Sequence, residues 1–319
     1  MATYKELHGS QLQNFSSDPS NPINGQMWYN TTSSAFKGYK DVQSWATANN
    51  LNTARGYIGG AGALQDAGLA FAGEPGSGTT AATESYNGTN WTSVNNLTTP
   101  RRNVGGLGTN TAALCVGGYV GSPTFTGVTE TWNGTNWTEV NDLGTVRRNM
   151  GCCGTNTAGL AAGGNGSDFT SELVTETWNG TNWTEVNDMN NARGENGAAG
   201  TNTAAITMGG TPGLTETELW NGTNWTEVND LNTGRNYCAG AGTSTAALGY
   251  GGSATGNTES WNGTNWTAQS DLNTPRNALA SAGTQNAALA AGGDGASPGP
   301  ITAATEEWNG TTTVTFTSS

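Results

Sequence analysis

Trp132-Asn-Gly-Thr-Asn-Trp137 is one copy of a marker that begins again at Trp178, Trp220 and Trp261, with a variant at Tyr86 and a decayed copy at Trp308. Successive starts lie 46, 46, 42, 41 and 47 residues apart. That period is the length of one four-stranded blade of a β-propeller. A second ruler runs in step with the first. Arg55, Arg101, Arg147, Arg193, Arg235 and Arg276 each stand ten residues after a Trp and seven before a Gly. Ten residues beyond each of the last five of those glycines a Gly-Gly pair ends, at Gly118, Gly164, Gly210, Gly252 and Gly293. A Thr-Glu pair ends two residues before each marker start, at Glu84, Glu130, Glu176, Glu218, Glu259 and Glu306.

The spacing yields an all-β chain of about six four-stranded blades. The stretch from Arg to Gly reads as a short inner strand, rich in Gly and Ala because blades crowd near the axis. An Ala-Ala-Leu-like strand follows (residues 111–116 in one copy) and ends at Gly-Gly. The third strand runs through Thr-Glu-x-Trp. Asn-Gly reads as a two-residue hairpin turn. The fourth strand, Asn-Trp-Thr-Glu-Val, is expected to turn Trp and Val to one face. Length changes fall between Gly-Gly and Thr-Glu, in residues 166–174 and 294–303, as expected of a surface connection. Two segments compete to supply the last blade's outer strand: residues 42–49 at one end of the repeats, which is the more economical solution, or residues 311–317 at the other.

The order of Trp, then x-x-Arg, then Gly-Gly, then an acidic-x-aromatic strand resembles the kelch repeat. Leu97-Thr-Thr-Pro-Arg101 and Leu272-Asn-Thr-Pro-Arg276 are its nearest echoes. The resemblance covers roughly residues 42–317 and implies a kelch-like β-propeller with an axial channel and two loop-bearing faces. One position departs: Ala, Leu or Cys stands before Gly-Gly where kelch repeats carry an aromatic. The expected organisation is an N-terminal attachment segment, 1–41, and a propeller, 42–319. Within the former, Asn24-Gly-Gln-Met-Trp-Tyr-Asn-Thr-Thr32 reads as a strand and turn, and it resembles the N-terminal regions of bacteriophage tail-fibre and other virion appendage proteins. That resemblance implies attachment to other virion proteins through residues 1–41, in multiple copies per particle, after synthesis in the bacterial cytoplasm.

Composition narrows the function. The net charge is −13 with only 11 Lys plus Arg, so no basic face can be assembled for nucleic acid. No apolar run is long enough to insert in a membrane as a helix. The N-terminus lacks the basic start and apolar run of a secretion signal. Cys115, Cys152, Cys153 and Cys238 follow no repeat position and read as small buried thiols. The only histidine, His8, precedes the repeats, which argues against imidazole-ligated metal chemistry and Ser-His catalysis. The acids of Glu139–Asp142 read as solvated groups and turn formers. No cofactor, no metal and no enzymatic activity are expected.

Equal recurrence in every blade assigns the six repeated Arg and six repeated Glu to structure, with each guanidinium satisfying several acceptors at once. Candidate binding residues are those that break the repeat: Arg102, Arg148, Tyr119, Phe125, Asp168, Phe169 and Asp294. The expected function is a virion structural protein, a tail fibre or fibre-associated appendage, contacting a neighbouring protein or a host-surface glycan or receptor through its loops. A stand-alone carbohydrate-binding propeller is the alternative, and a polysaccharide-degrading enzyme is a third.

Overall fold

The computed structural model describes residues 13–19, 26–40, 43–121, 124–295, 300–310 and 312–316, with residues 39–40 and 312–316 described by their backbone alone. The chain forms two units, one of residues 44–308 and one of residues 1–43 with 309–319.

The larger unit is a six-bladed propeller. Its first four-stranded sheet is Gly59–Leu64, Ala67–Phe71, Thr83–Tyr86 and Trp91–Val94. The second is Gly105–Thr109, Ala112–Gly121, Thr124–Trp132 and Trp137–Val140. Blades three, four and five begin at Gly151–Thr155, Gly197–Thr201 and Ala239–Thr243. The sixth takes Ala280–Thr284, Ala287–Ala291 and Thr305–Asn309 from one end of the repeats and Ser44–Ala48 from the other. Closure therefore comes from the segment 42–49, and Trp45 stacks on Trp308 with ring centres 5.4 Å apart.

Three rings of hydrogen bonds join the blades. Each outer-strand Trp donates its indole N–H to the third-strand Thr of the preceding blade: Trp137 to Thr83, Trp183 to Thr129, Trp225 to Thr175, Trp266 to Thr217, Trp45 to Thr258 and Trp91 to Thr305. The second Gly of each Gly-Gly position donates its amide to the carbonyl of the next blade's repeated Arg, as Gly118 does to Arg147 at 3.1 Å. The third ring lies at the axis and is described below. Inner strands are small because neighbours nearly touch. A Cβ at Gly106 would lie 2.3 Å from the Gly60 carbonyl oxygen.

The repeated ion pairs sit inside single blades. Arg55–Glu84, Arg101–Glu130 and Arg147–Glu176 each meet at 3.0 Å with side chains almost fully buried, and Arg276 meets Glu306 at 2.6 Å. Arg193–Glu218 and Arg235–Glu259 complete the set. Each Arg also donates to backbone carbonyls; Arg101 reaches those of Gly117, Val128 and Cys115. The second carboxylate oxygen accepts a backbone N–H from the segment leading into the Arg, as Glu130 does from Thr98 at 2.7 Å. Satisfying both charges in this way is what makes such burial tolerable.

Several local expectations change. The repeated Arg precedes the inner strand instead of starting it: Arg101 stands four residues before Gly105–Thr109. Trp and Val of the fourth strand lie three residues apart, so a period of two sends them to opposite faces. Trp137 packs with Phe71 of the preceding blade, while Val140 packs with the cluster holding Trp178 and Trp183 of the following one. The Asn-Gly turn is a four-residue loop closed by the pair Trp132 and Trp137. Within it Asn133 Oδ1 accepts the amides of Thr135 and Asn136. Asp142, read as a solvated acid, accepts the Thr129 amide at 3.1 Å, and Asp188, Asp230 and Asp271 repeat the contact.

In the smaller unit the sheet order is Gln13–Phe15, Met27–Asn30, Ala35–Lys40, Thr312–Phe316. The first pair is parallel and the others are antiparallel. The strand and turn expected in residues 24–32 are present from Met27 onward; residues 24 and 25 lie outside the described residues. Trp28 and Asn30 both donate to Asp18 Oδ1, and Lys37 meets Asp18 Oδ2 at 2.6 Å. The division falls two residues beyond 41, and the strand Thr312–Phe316 pairs with Ala35–Lys40 instead of joining the propeller. The sixth blade already has its fourth strand, so the C-terminal segment is left for another sheet edge.

Candidate binding site at the channel mouth

Two residues after each repeated Arg stands Tyr57, Asn103, Asn149, Glu195, Tyr237 or Ala278. All six have left-handed backbones, with φ between 51° and 63°. Each amide donates to the carbonyl of its counterpart in the preceding blade. Asn103 donates to Tyr57, Asn149 to Asn103, Glu195 to Asn149, Tyr237 to Glu195, Ala278 to Tyr237 and Tyr57 to Ala278, at 2.7–3.1 Å. The result is a closed six-membered backbone ring around the axis.

A left-handed conformation costs a residue with a Cβ about 1–2 kcal/mol. At the Gly-Gly positions, where φ is also positive, the repeat places glycine, as at Gly118 with φ of 118°, save for Ala72 in the first blade. The mouth ring keeps side chains at six such positions in a chain with 49 glycines. Strain of this kind concentrates where side chains serve a purpose.

Around this inner ring runs an outer one. The residue following each repeated Arg faces the residue following each Gly-Gly position: Gly56 with Glu74, Arg102 with Tyr119, Arg148 with Asn165 and Asn277 with Asp294 as isolated bridges. Backbone bonds from Thr211 to Gly194 and from Ser253 to Asn236 supply the other two. The blade framework repeats all round, yet the inner-ring position is held by two Tyr, two Asn, one Glu and one Ala.

Five of the seven repeat-breaking candidates meet here. The guanidinium carbon of Arg148 lies 4.7 Å from the ring centre of Phe125, 5.2 Å from Phe169 and 5.7 Å from Tyr119. That of Arg102 lies 4.9 Å from Tyr119 and 6.0 Å from Tyr57. Phe125 packs edge-on against both Tyr119 and Phe169, at 5.8 and 5.1 Å. Blade two makes this possible: its middle strands run to ten and nine residues, and the extended arm pairs Tyr119 with Phe125. Phe169 comes from the loop of blade three and is 59% exposed.

Asp294 is on the mouth but away from the cluster, where its Oδ2 accepts the Tyr57 hydroxyl at 3.2 Å. Asp168 joins neither group. It caps its own loop, accepting from the Thr170 amide and hydroxyl, and those bonds hold its carboxyl below the usual range.

The inner-ring side chains form a connected network that the sequence reading missed. Asn103 Nδ2 donates to Asn149 Oδ1 at 2.7 Å, and Asn149 Nδ2 donates to Asn165 Oδ1 and the Tyr237 hydroxyl oxygen at 3.0 and 3.3 Å. Glu195 accepts from Thr211 Oγ1 and from Asn236 Nδ2. Tyr57 and Tyr237 meet edge-to-face at 5.4 Å. Burial, and then the charge of Glu195, hold the Tyr237 phenol far above its usual range. Burial and Asp294 raise Tyr57. Both phenols therefore stay neutral and able to donate at any physiological pH. The signal for these residues was available in the fixed offset of two from each Arg.

Of the carboxylates on the two rings, Glu74 pairs with Arg102, and Glu195 and Asp294 have the partners given above. Among the described residues no group of three His, Cys, Asp or Glu could hold a metal ion. Cys115, Cys153 and Cys238 are buried as expected, while Cys152 is half-buried on the channel wall. Burial pushes the Cys115 and Cys152 thiols up to about 12, so neither is a nucleophile at neutral pH.

Among solved structures the chain is similar to one titled "Structure of YjhT", with a TM-score of 0.68 and 12% identity, over 81% of this chain and 95% of that one. No family model matches the chain. No curated protein matches it. The likeness is one of fold. Propellers carry unrelated activities on one architecture, so function has to be argued from the mouth itself.

Proposed function

We propose that this chain is the kelch-type recognition propeller of a bacteriophage virion appendage, and that it binds a host-surface glycan across the channel mouth without transforming it. The observation that carries the reading is the ring of six strained, non-glycine positions whose side chains differ in a framework that otherwise repeats. Structural positions repeat, as the buried Arg–Glu pairs do. Positions that vary at a common strained site are under a different demand.

The chemistry of the mouth suits a sugar. Sugars offer apolar C–H faces and hydroxyl edges, and the mouth offers aromatic rings at Tyr119, Phe125 and Phe169 beside amides, phenols and a carboxylate. A binding role fits the carboxylates better than catalysis does. Glycosidic cleavage uses a pair of acids flanking the bond; here Glu74 is paired with Arg102, while Glu195 and Asp294 accept from amide and phenol groups of the mouth. The virion setting rests on the resemblance of residues 24–32 to appendage N-termini, with the smaller unit as the attachment piece.

Mass spectrometry and cryo-electron microscopy of purified phage test the proposal. The expected result is this chain in stoichiometric, multiple copies, with its N-terminal unit against a neighbouring virion protein. Its absence from particles sinks the appendage role. Shortening of host polysaccharide by the pure protein would show an enzyme instead.

A further inference from the structure

We infer that the glycan carries a carboxylate and that Arg148 binds it; the inference rests on the glycan-binding reading above. Of the eight arginines, seven have a carboxylate partner: the six repeated ones and Arg102, which pairs with Glu74. Arg148 has none among the described residues, in a chain with 24 acids and a net charge of −13. A cation left without a carboxylate in so acidic a protein is a position held open.

The surroundings set its use. Arg148 is half-buried; its Nε lacks a hydrogen-bond partner, as those of Arg55, Arg101, Arg102, Arg147 and Arg276 do, but it differs from them in that no described acceptor meets its other guanidinium nitrogens. Phe125, Phe169 and Tyr119 supply aromatic surface, which offers a guanidinium attraction but no acceptor. Planar N–H donors in a fork match the two oxygens of a carboxylate, and partial desolvation strengthens that match. The charged groups of the mouth and of the loop that carries Phe169 are Arg102 with Glu74, Glu195, Asp168 and Glu172; one cation among them without a carboxylate partner matches one negative charge, as a sugar carboxylate carries. The exposed ring of Phe169 would cover the apolar face of the sugar that bears it.

The test titrates the full-length chain with polygalacturonate, alginate and hyaluronan, each before and after chemical reduction of its carboxyl groups, and with neutral dextran and galactan. Arg148→Gln and Arg148→Lys are run in parallel, with thermal melts to show that both fold. The expected result is that at least one acidic polymer binds and that its reduced form binds at least tenfold more weakly. Arg148→Gln loses the same factor toward the acidic form only, and Arg148→Lys recovers part of it. Equal binding of acidic and reduced forms, or undiminished binding by Arg148→Gln, overturns the carboxylate inference and leaves the glycan reading standing. Binding to none of the polymers, neutral ones included, overturns both.

Discussion

The indole Nε1 of Trp91 donates to Thr305 Oγ1 at 3.0 Å, one of several bonds that tie the first blade to the last. It is the same Trp–Thr link found between every other pair of neighbouring blades, so the ring closes without a special junction. Thr305→Val removes the acceptor and keeps the shape. A buried N–H left unmet costs about 1–3 kcal/mol. Chemical denaturation should show a loss of that size, and Thr129→Val, inside the ring, should lose a similar amount because Trp183 loses the same partner.

Repeated and unrepeated arginines should separate by stability. Removing one partner of a buried ion pair leaves the other charge stranded and costs about 3–5 kcal/mol. Glu130→Gln strands Arg101 and should fall in that range, whereas Arg148→Gln, with no carboxylate partner among the described residues, should change stability by less than about 1 kcal/mol. Equal losses would mean that Arg148 is a structural residue.

Strain at the mouth can be relieved where no side-chain chemistry is lost. Ala278 holds a φ of 51°, a conformation glycine adopts freely. Ala278→Gly is expected to stabilise the propeller by about 0.5–1 kcal/mol, measured by thermal or denaturant unfolding. A destabilised variant would show that the ring is not strained.

The periodic part of the fold was legible in the sequence because one physical demand recurs six times. Arg101 and Glu130 announce themselves by returning at fixed offsets, and their burial as a pair explains the return. Five of the seven repeat-breaking candidates converge for the complementary reason: breaking the repeat at Arg148 or Tyr119 frees a side chain from blade duty. Asp168 breaks the repeat only to cap its own loop. The inner ring escaped because Tyr57, Asn103, Asn149, Glu195, Tyr237 and Ala278 share a backbone conformation and not a residue type, so only their fixed offset from the repeated Arg marks them. The C-terminal strand was expected, but its pairing escaped because its partner, Ala35–Lys40, lies at the other end of the chain.

The N-terminal unit should respond to acid through Asp18. Lys37, Asn30 and Trp28 all donate to its carboxylate and hold its pKa near about 2. An unfolded Asp titrates near about 3.9. A depressed carboxyl contributes stability that is complete above the unfolded value and is lost as pH falls through the folded one. The contribution should therefore fade between about pH 4 and pH 2. The Trp28 indole N–H resonance should shift with a midpoint near the lower value, and should lose that transition in Asp18→Asn.

Recognition across the channel mouth is tested most directly by calorimetric titration of the intact protein with purified bacterial surface polysaccharides, beginning with those of the bacteria that the proposed virion would infect. Wild type is compared with Asn149→Ala and Phe125→Ala at the mouth and with Thr138→Ala on an outer strand. The account predicts binding by wild type and Thr138→Ala, and at least a tenfold loss in both mouth variants. Equal affinity in all four, or a loss confined to Thr138→Ala, would place the ligand elsewhere on the propeller and contradict it.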